Sequence, residues 1–166
     1  MTISQEIDQQ YSDYQARVLA RQRRLQEVAA DFYKGFIDHL GMDPNAWWDN
    51  EGNNRGPRIE LGQGDGTDFS PAAWVNLPIS RSGAVEFAIS YKLLGPFGPF
   101  SIIFECTLES VEGGYDISVY SVIQRAELTP EDVASGEFGF IYDQMIDALR
   151  AKIDPDSIVI HPKKVE

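Results

Sequence analysis

Cysteine and histidine are almost missing from this chain: one Cys, at position 106, and two His, at 39 and 161. A lone cysteine excludes an intrachain disulfide. The histidines do not stand in metal-ligand spacing with other donors. His39 reads as a helix-end residue near the C-terminal dipole. Cys106 falls on the apolar side of an alternating run and reads as a small core residue, since no His or basic neighbour in sequence would activate its thiolate. Basic residues are scarce as well, 14 Lys and Arg against 26 Asp and Glu, for a net charge of −12. That balance argues against nucleic-acid binding, which needs clustered cations to neutralise phosphates, and against anionic membrane surfaces. It permits a basic protein partner or mimicry of a nucleic acid's charge, and it is equally what solubility requires. No apolar run approaches a membrane span. The start MTISQEIDQQ lacks the basic and apolar blocks of a signal peptide, so the expected location is cytoplasmic. No G-x-S-x-G is present. The stretch GQGDGTD lacks the Lys-Ser/Thr of a P-loop and the spacing of an EF-hand, leaving Asp65 and Asp68 only as parts of a weak calcium site. The sequence thus names no catalytic residue, metal site or cofactor.

What is present is a chain of 166 residues, 43% hydrophobic, enough for one core and one domain. It is organised around Ala84 to Gln124. Val85, Phe87, Ile89, Tyr91 and Leu93 alternate with polar or small residues, the period of a strand with one buried face. Ile102, Phe104, Cys106 and Leu108 repeat the pattern, and Ile117, Val119 and Ile123 do so a third time. A tight turn at Glu112-Gly113 pairs Leu108 with Ile117 and Cys106 with Val119, so inward residues oppose inward residues. Gly95-Pro96-Phe97-Gly98-Pro99 makes a longer, stiffer turn.

Residues 3–40 read as one helix. Thr2 and Gln5 form a capping-box pair, and Gly41 with Pro44 marks the stop. Ile7, Tyr11, Tyr14, Val18, Leu25, Val28 and Phe32 make a heptad-like stripe that Arg21 interrupts. Such a helix spans roughly 57 Å at 1.5 Å per residue, whereas a ten-residue strand spans about 33 Å. Its first part should therefore overhang the sheet and need the C-terminal helix, a second copy or another protein as cover. Arg17, Arg21 and Arg24 share one face and read either as a patch for an acidic group or as a solvated, internally paired face.

Asp43 to Trp48 has the form of a capped helical turn, and 49–57 that of a polar loop. Arg58-Leu61 is a candidate edge strand, 62–68 a loop, and Trp74-Ile79 a further strand. Arg81-Ser82-Gly83 then makes a hairpin turn. Thr129-Pro130-Glu131-Asp132 is a helix start, and Gly136 separates it from a helix over about 137–153. Ser157-Ile160 is a candidate last strand. The fold class is α+β: a four- to five-stranded antiparallel meander over about 58–125, flanked by a long N-terminal and a C-terminal helix. This order resembles small bacterial chaperone-like and immunity-like domains; the acidic charge, the overhanging helix and the lack of catalytic motifs lead to the expectation of a non-enzymatic binding protein, chaperone-, immunity- or inhibitor-like.

The outward sheet face carries the candidate site. The registers above place Trp74, Ser90, Ile103 and Val122 in one row and Asn76, Ala88, Glu105 and Tyr120 in the next, with Glu86, Glu109 and Asp116 toward one end. A solvated face is normally more uniformly polar. Three readings stand. A helix or the Trp47-Trp48 segment covers it; it docks a protein partner, a basic one by charge, with Trp and Tyr as anchors; or it lines a pocket where Glu105 or Glu86 acts as acid or base. A pocket between sheet and helices, lined by Trp47, Trp48 and Trp74, is a further alternative. So is a homodimer through the N-terminal helix.

Overall fold

The computed structural model describes residues 1–49 and 55–157. Helix α1 runs unbroken over Ile3–His39. Its capping box forms as the sequence predicts: the Thr2 hydroxyl accepts from the Gln5 amide, and the Gln5 side chain accepts from the Thr2 amide. Gly41, at φ +66°, ends the helix.

Asp43 opens a turn rather than a helix, with its carboxylate accepting from the Asn45 amide. The chain then enters strand β1 (Trp47–Asp49), which pairs with β2 (Arg55–Pro57) in a small sheet of its own. Here the end of the expected helical turn and the described ends of the expected polar loop are strands, and residues 50–54 of that loop lie outside the described residues. The β-preferring Trp pair finds a ladder partner.

The main sheet has six antiparallel strands in the order β4 (Phe69–Pro71), β3 (Ile59–Gly64), β5 (Val85–Leu93), β6 (Phe100–Val111), β7 (Gly114–Val119) and β8 (Ile123–Leu128). β3 (Ile59–Gly64) is the second strand, not the edge, because Gly62 to Asp68 folds as a hairpin into β4 (Phe69–Pro71). Two glycines allow this. A β-carbon at Gly62 or at Gly64 (φ +144°) would strike the backbone of the returning strand. The expected strand over Trp74-Ile79 is a short 3₁₀ turn at Trp74–Asn76 followed by a single bridge between Ile79 and Val85. The buried Gln26 side chain decides this: it donates to the carbonyls of Val75 and Leu77 at 3.2 and 2.9 Å. Those carbonyls are thereby satisfied on α1 instead of in a ladder.

β5 (Val85–Leu93), β6 (Phe100–Val111) and β7 (Gly114–Val119) pair in the predicted register, with Cys106 opposite Val119 and Leu108 opposite Ile117. The third predicted run is two strands. A turn at 120–122, with Ser121 at φ +61°, reverses the chain into β8 (Ile123–Leu128). Ile123 keeps its inward position by pairing with Val119 across that turn.

Helix α2 (Pro130–Ser135) carries its own capping box from Thr129 and Asp132, and it ends at Gly136 in the left-handed region. Helix α3 (Gly139–Lys152) follows. Asp154-Pro155 closes it, and Ser157 ends a 3₁₀ turn instead of starting a strand. The rest of that expected strand, with His161, lies outside the described residues.

Both long helices pack on one face of the sheet. Phe36 of α1 meets Phe104 edge-on at 5.8 Å, and Phe32 meets Phe87 at 6.0 Å and Phe138 at 5.4 Å. The Tyr142 hydroxyl donates to the Phe32 carbonyl at 2.8 Å. Only glycine at position 35 permits that approach, since a β-carbon there would collide with the same hydroxyl. His39 reaches Asp143 at 2.8 Å and ties the end of α1 to α3.

Candidate functional site

The outer face of the sheet is covered by neither α1 nor α3, because both lie against the inner residues Phe87 and Phe104 or against each other. It is concave instead of flat. On one side the Gly62–Asp68 hairpin rises over it, held by reciprocal amide–carbonyl bonds between Asp65 and Asp68, each 3.1 Å. The Phe69 ring lies over Gly62, which pairs with Ala88 of β5. Ala88 and Ser90, outward by parity, are buried as a result of this curvature, at 0% and 2% exposure. On the other side stands the 120–122 turn, whose Tyr120 amide donates to the Glu105 carbonyl at 2.9 Å.

Two adjoining hollows follow, of about 760 and 560 Å³. The larger is lined by Asp65, Asp68, Glu86 and Glu105, together with Thr67 and Thr107. The smaller is lined by Glu105, Thr107, Ser118, Tyr120, Val122 and Gln124. Glu105 and Thr107 belong to both and form the ridge between them. No Lys or Arg is among the described residues lining either hollow. Four carboxylates therefore face one concavity without a counter-charge in its walls, and each repels a further anion while attracting a cation.

Glu86, Glu105, Tyr120 and Val122 of the predicted site meet here, although Val122 arrives from the turn and not from a cross-strand row. Ile103 lies beside the site, opposite Ser90. Glu109 and Asp116 pair across β6 and β7, and Glu127 of β8 extends their row. The nearly buried Asp116 is bound by Arg125 at 2.7 Å, while its second oxygen has no hydrogen-bond partner. That end of the face is thus partly neutralised and separate from the hollows.

The three tryptophans do not join this face. Trp74 lies on the helix side, its ring 5.5 Å from the Arg23 guanidinium, in a shallow hollow of about 440 Å³ with Tyr33, Lys34 and Glu60. Trp47 and Trp48 stand on the small sheet, where Arg55 covers the Trp47 ring at 6.0 Å. Of the three tryptophans expected to line a pocket between sheet and helices, Trp74 lines the shallow hollow between α1 and β3, while Phe32, Phe36, Phe138 and Tyr142 fill the interior beside it.

The parity of the central strands missed Asp65 and Asp68, which belong to the large hollow, and Glu60. Burial pushes the Glu60 carboxyl above the ordinary carboxylate range, with the Lys92 ammonium pulling the other way. Burial likewise raises the Tyr33 phenol, with Glu60 adding to it. Burial together with the Glu105 charge pushes the Cys106 thiol far up, so the thiol stays neutral. Among the described residues no three His, Cys, Asp or Glu are grouped to hold a metal ion. None of the described helices is long and apolar enough to cross a membrane. Comparison with protein-family models, curated proteins and solved structures gives no match.

Proposed function

We propose that this protein is a non-enzymatic binding module whose concave outer sheet face takes up a cationic, Lys- or Arg-bearing segment of a protein partner. One observation carries the reading: Asp65, Asp68, Glu86 and Glu105 converge on adjoining hollows whose described lining holds no cation. A guanidinium or ammonium entering there gains charge-assisted hydrogen bonds. None of the four carboxylates is in an ion pair among the described residues, and Asp65 accepts only from the Thr67 hydroxyl and the Asp68 amide. Tyr120, 75% exposed on the rim of the smaller hollow, supplies an aromatic surface for the stem of such a side chain or for its charge. The net charge of −12 adds long-range steering toward a basic partner.

The test is calorimetric titration of the whole protein with an Arg/Lys-rich peptide and with a Glu-rich peptide of the same length. The basic peptide should bind, more weakly as salt rises. The double variant Glu86→Lys/Glu105→Lys should weaken it by at least about tenfold, the loss of about 1.4 kcal/mol. Reversing a charge elsewhere, as in Glu131→Lys on α2, should leave affinity nearly unchanged. Equal losses in both variants would reduce the effect to net charge and sink the assignment to this face.

A further inference from the structure

The first five turns of α1 stand clear of the domain, and contact begins at Arg21, which shares a hollow with Tyr115 and Pro130. Ile7, Tyr11 and Tyr14 are exposed there, and Val18 is half-buried, while the same stripe from Leu25 onward is buried in the core. We infer that this overhang pairs with the overhang of a second copy of the chain, antiparallel, as a two-helix coiled coil. Three observations carry the inference.

The first is the seam. Ile7, Tyr11, Tyr14 and Val18 follow steps of four, three and four, the spacing of coiled-coil core positions. An antiparallel pairing that sets Tyr11 against Tyr14 of the second copy also sets Ile7 against its Val18. All four core residues are then matched in one symmetric register. Arg21, which interrupts the apolar stripe, falls opposite the partner's Ser4, one turn from its acidic residues.

The second is charge. Residues 3–14 hold Glu6, Asp8 and Asp13 and no cation; residues 15–24 hold Arg17, Arg21, Arg23 and Arg24 and no acid. Arg23 stacks on Trp74 and Arg24 pairs with Glu27. Arg17 and Arg21 are exposed and make no ion pair among the described residues. Antiparallel pairing lays each acidic half along a basic half. Parallel pairing would stack like on like.

The third is where the domains go. Residues 1–24 carry three acids and four arginines, +1 in sum, so the remaining chain carries −13 of the total −12. Parallel helices would hold two such bodies side by side. Antiparallel helices hold them at opposite ends of the paired segment. Ser4 to Arg21 spans about 26 Å. The register ends at Arg21, where α1 first meets the domain in the hollow shared with Tyr115 and Pro130, so the pairing uses the whole overhang.

Sedimentation equilibrium of the full chain tests the inference. A reversible dimer is expected, lost in Tyr14→Glu with the far-UV circular dichroism of the domain retained. Orientation is read by disulfide trapping, for which the buried Cys106 is a silent background. A mixture of Ile7→Cys and Val18→Cys chains should cross-link to each other under mild oxidation, and neither should cross-link alone. A wild-type chain that stays monomeric up to its solubility limit overturns the proposal. So does self-cross-linking of Ile7→Cys alone, the mark of parallel pairing.

Discussion

The two halves of α1 carry one apolar stripe and meet two fates. From Leu25 to Ile37 the stripe is sealed: Phe32 and Phe36 are 1% and 0% exposed. From Ile7 to Tyr14 it lies open, with Tyr14 at 64%. Both halves keep the same steps of three and four, although the buried half is widened by Ala29, Ala30 and Ile37. The difference is that the sheet is shorter than the helix, so only one half has strands to lie on. A helical stripe therefore reports that burial is needed, and the geometry of the rest of the molecule decides whether the chain itself provides it.

The largest break in that comparison is Phe36→Ala. It removes a ring packed edge-on against Phe104 and tilted against Tyr142. The expected loss is about 3–5 kcal/mol of unfolding free energy, read by urea titration. Gln26→Ala is next. It leaves the carbonyls of Val75 and Leu77 without their donor beneath the 3₁₀ turn. The expected loss is about 1–3 kcal/mol, with faster hydrogen exchange in 74–79 as the local signature. Ile7→Ala is the smallest. At concentrations too low for self-association it should change stability by no more than about 0.5 kcal/mol. A large loss there would mean that the open half is already packed on its own domain. That would bring the two halves together and end the contrast.

The central strands were legible because alternation over Val85–Leu93 and Ile102–Leu108 is local, and because Glu112-Gly113 allows only one register with both apolar sets on one side. The helix ends were legible because Thr2, Thr129 and Gly136 act within one turn of themselves. Trp74-Ile79 was not. Its alternation suits a strand, but Gln26, far away in sequence, takes its carbonyls. The hairpin at Gly62–Asp68 was hidden because glycine announces a turn without announcing the strands on either side. The candidate site was legible in part. Glu86 and Glu105 follow from strand parity, while Asp65 and Asp68 join them only when that hairpin curls over the sheet. Trp74 was lost from the face with the strand it was assigned to.

By itself, then, the sequence determined the local choices: one long capped helix, the inward face of three strands, their register, and a strongly acidic chain. Each depends on residues within a few positions of one another or on composition alone. Only the tertiary structure decided that both helices cover the same face, that the other face curves into two acidic hollows, and that the C-terminal helix does not cover the overhang of α1 that the lengths already implied. Those outcomes depend on relative lengths, on sheet curvature and on contacts across 51 and 110 residues, Gln26 with Leu77 and Tyr142 with Phe32, which no local pattern encodes.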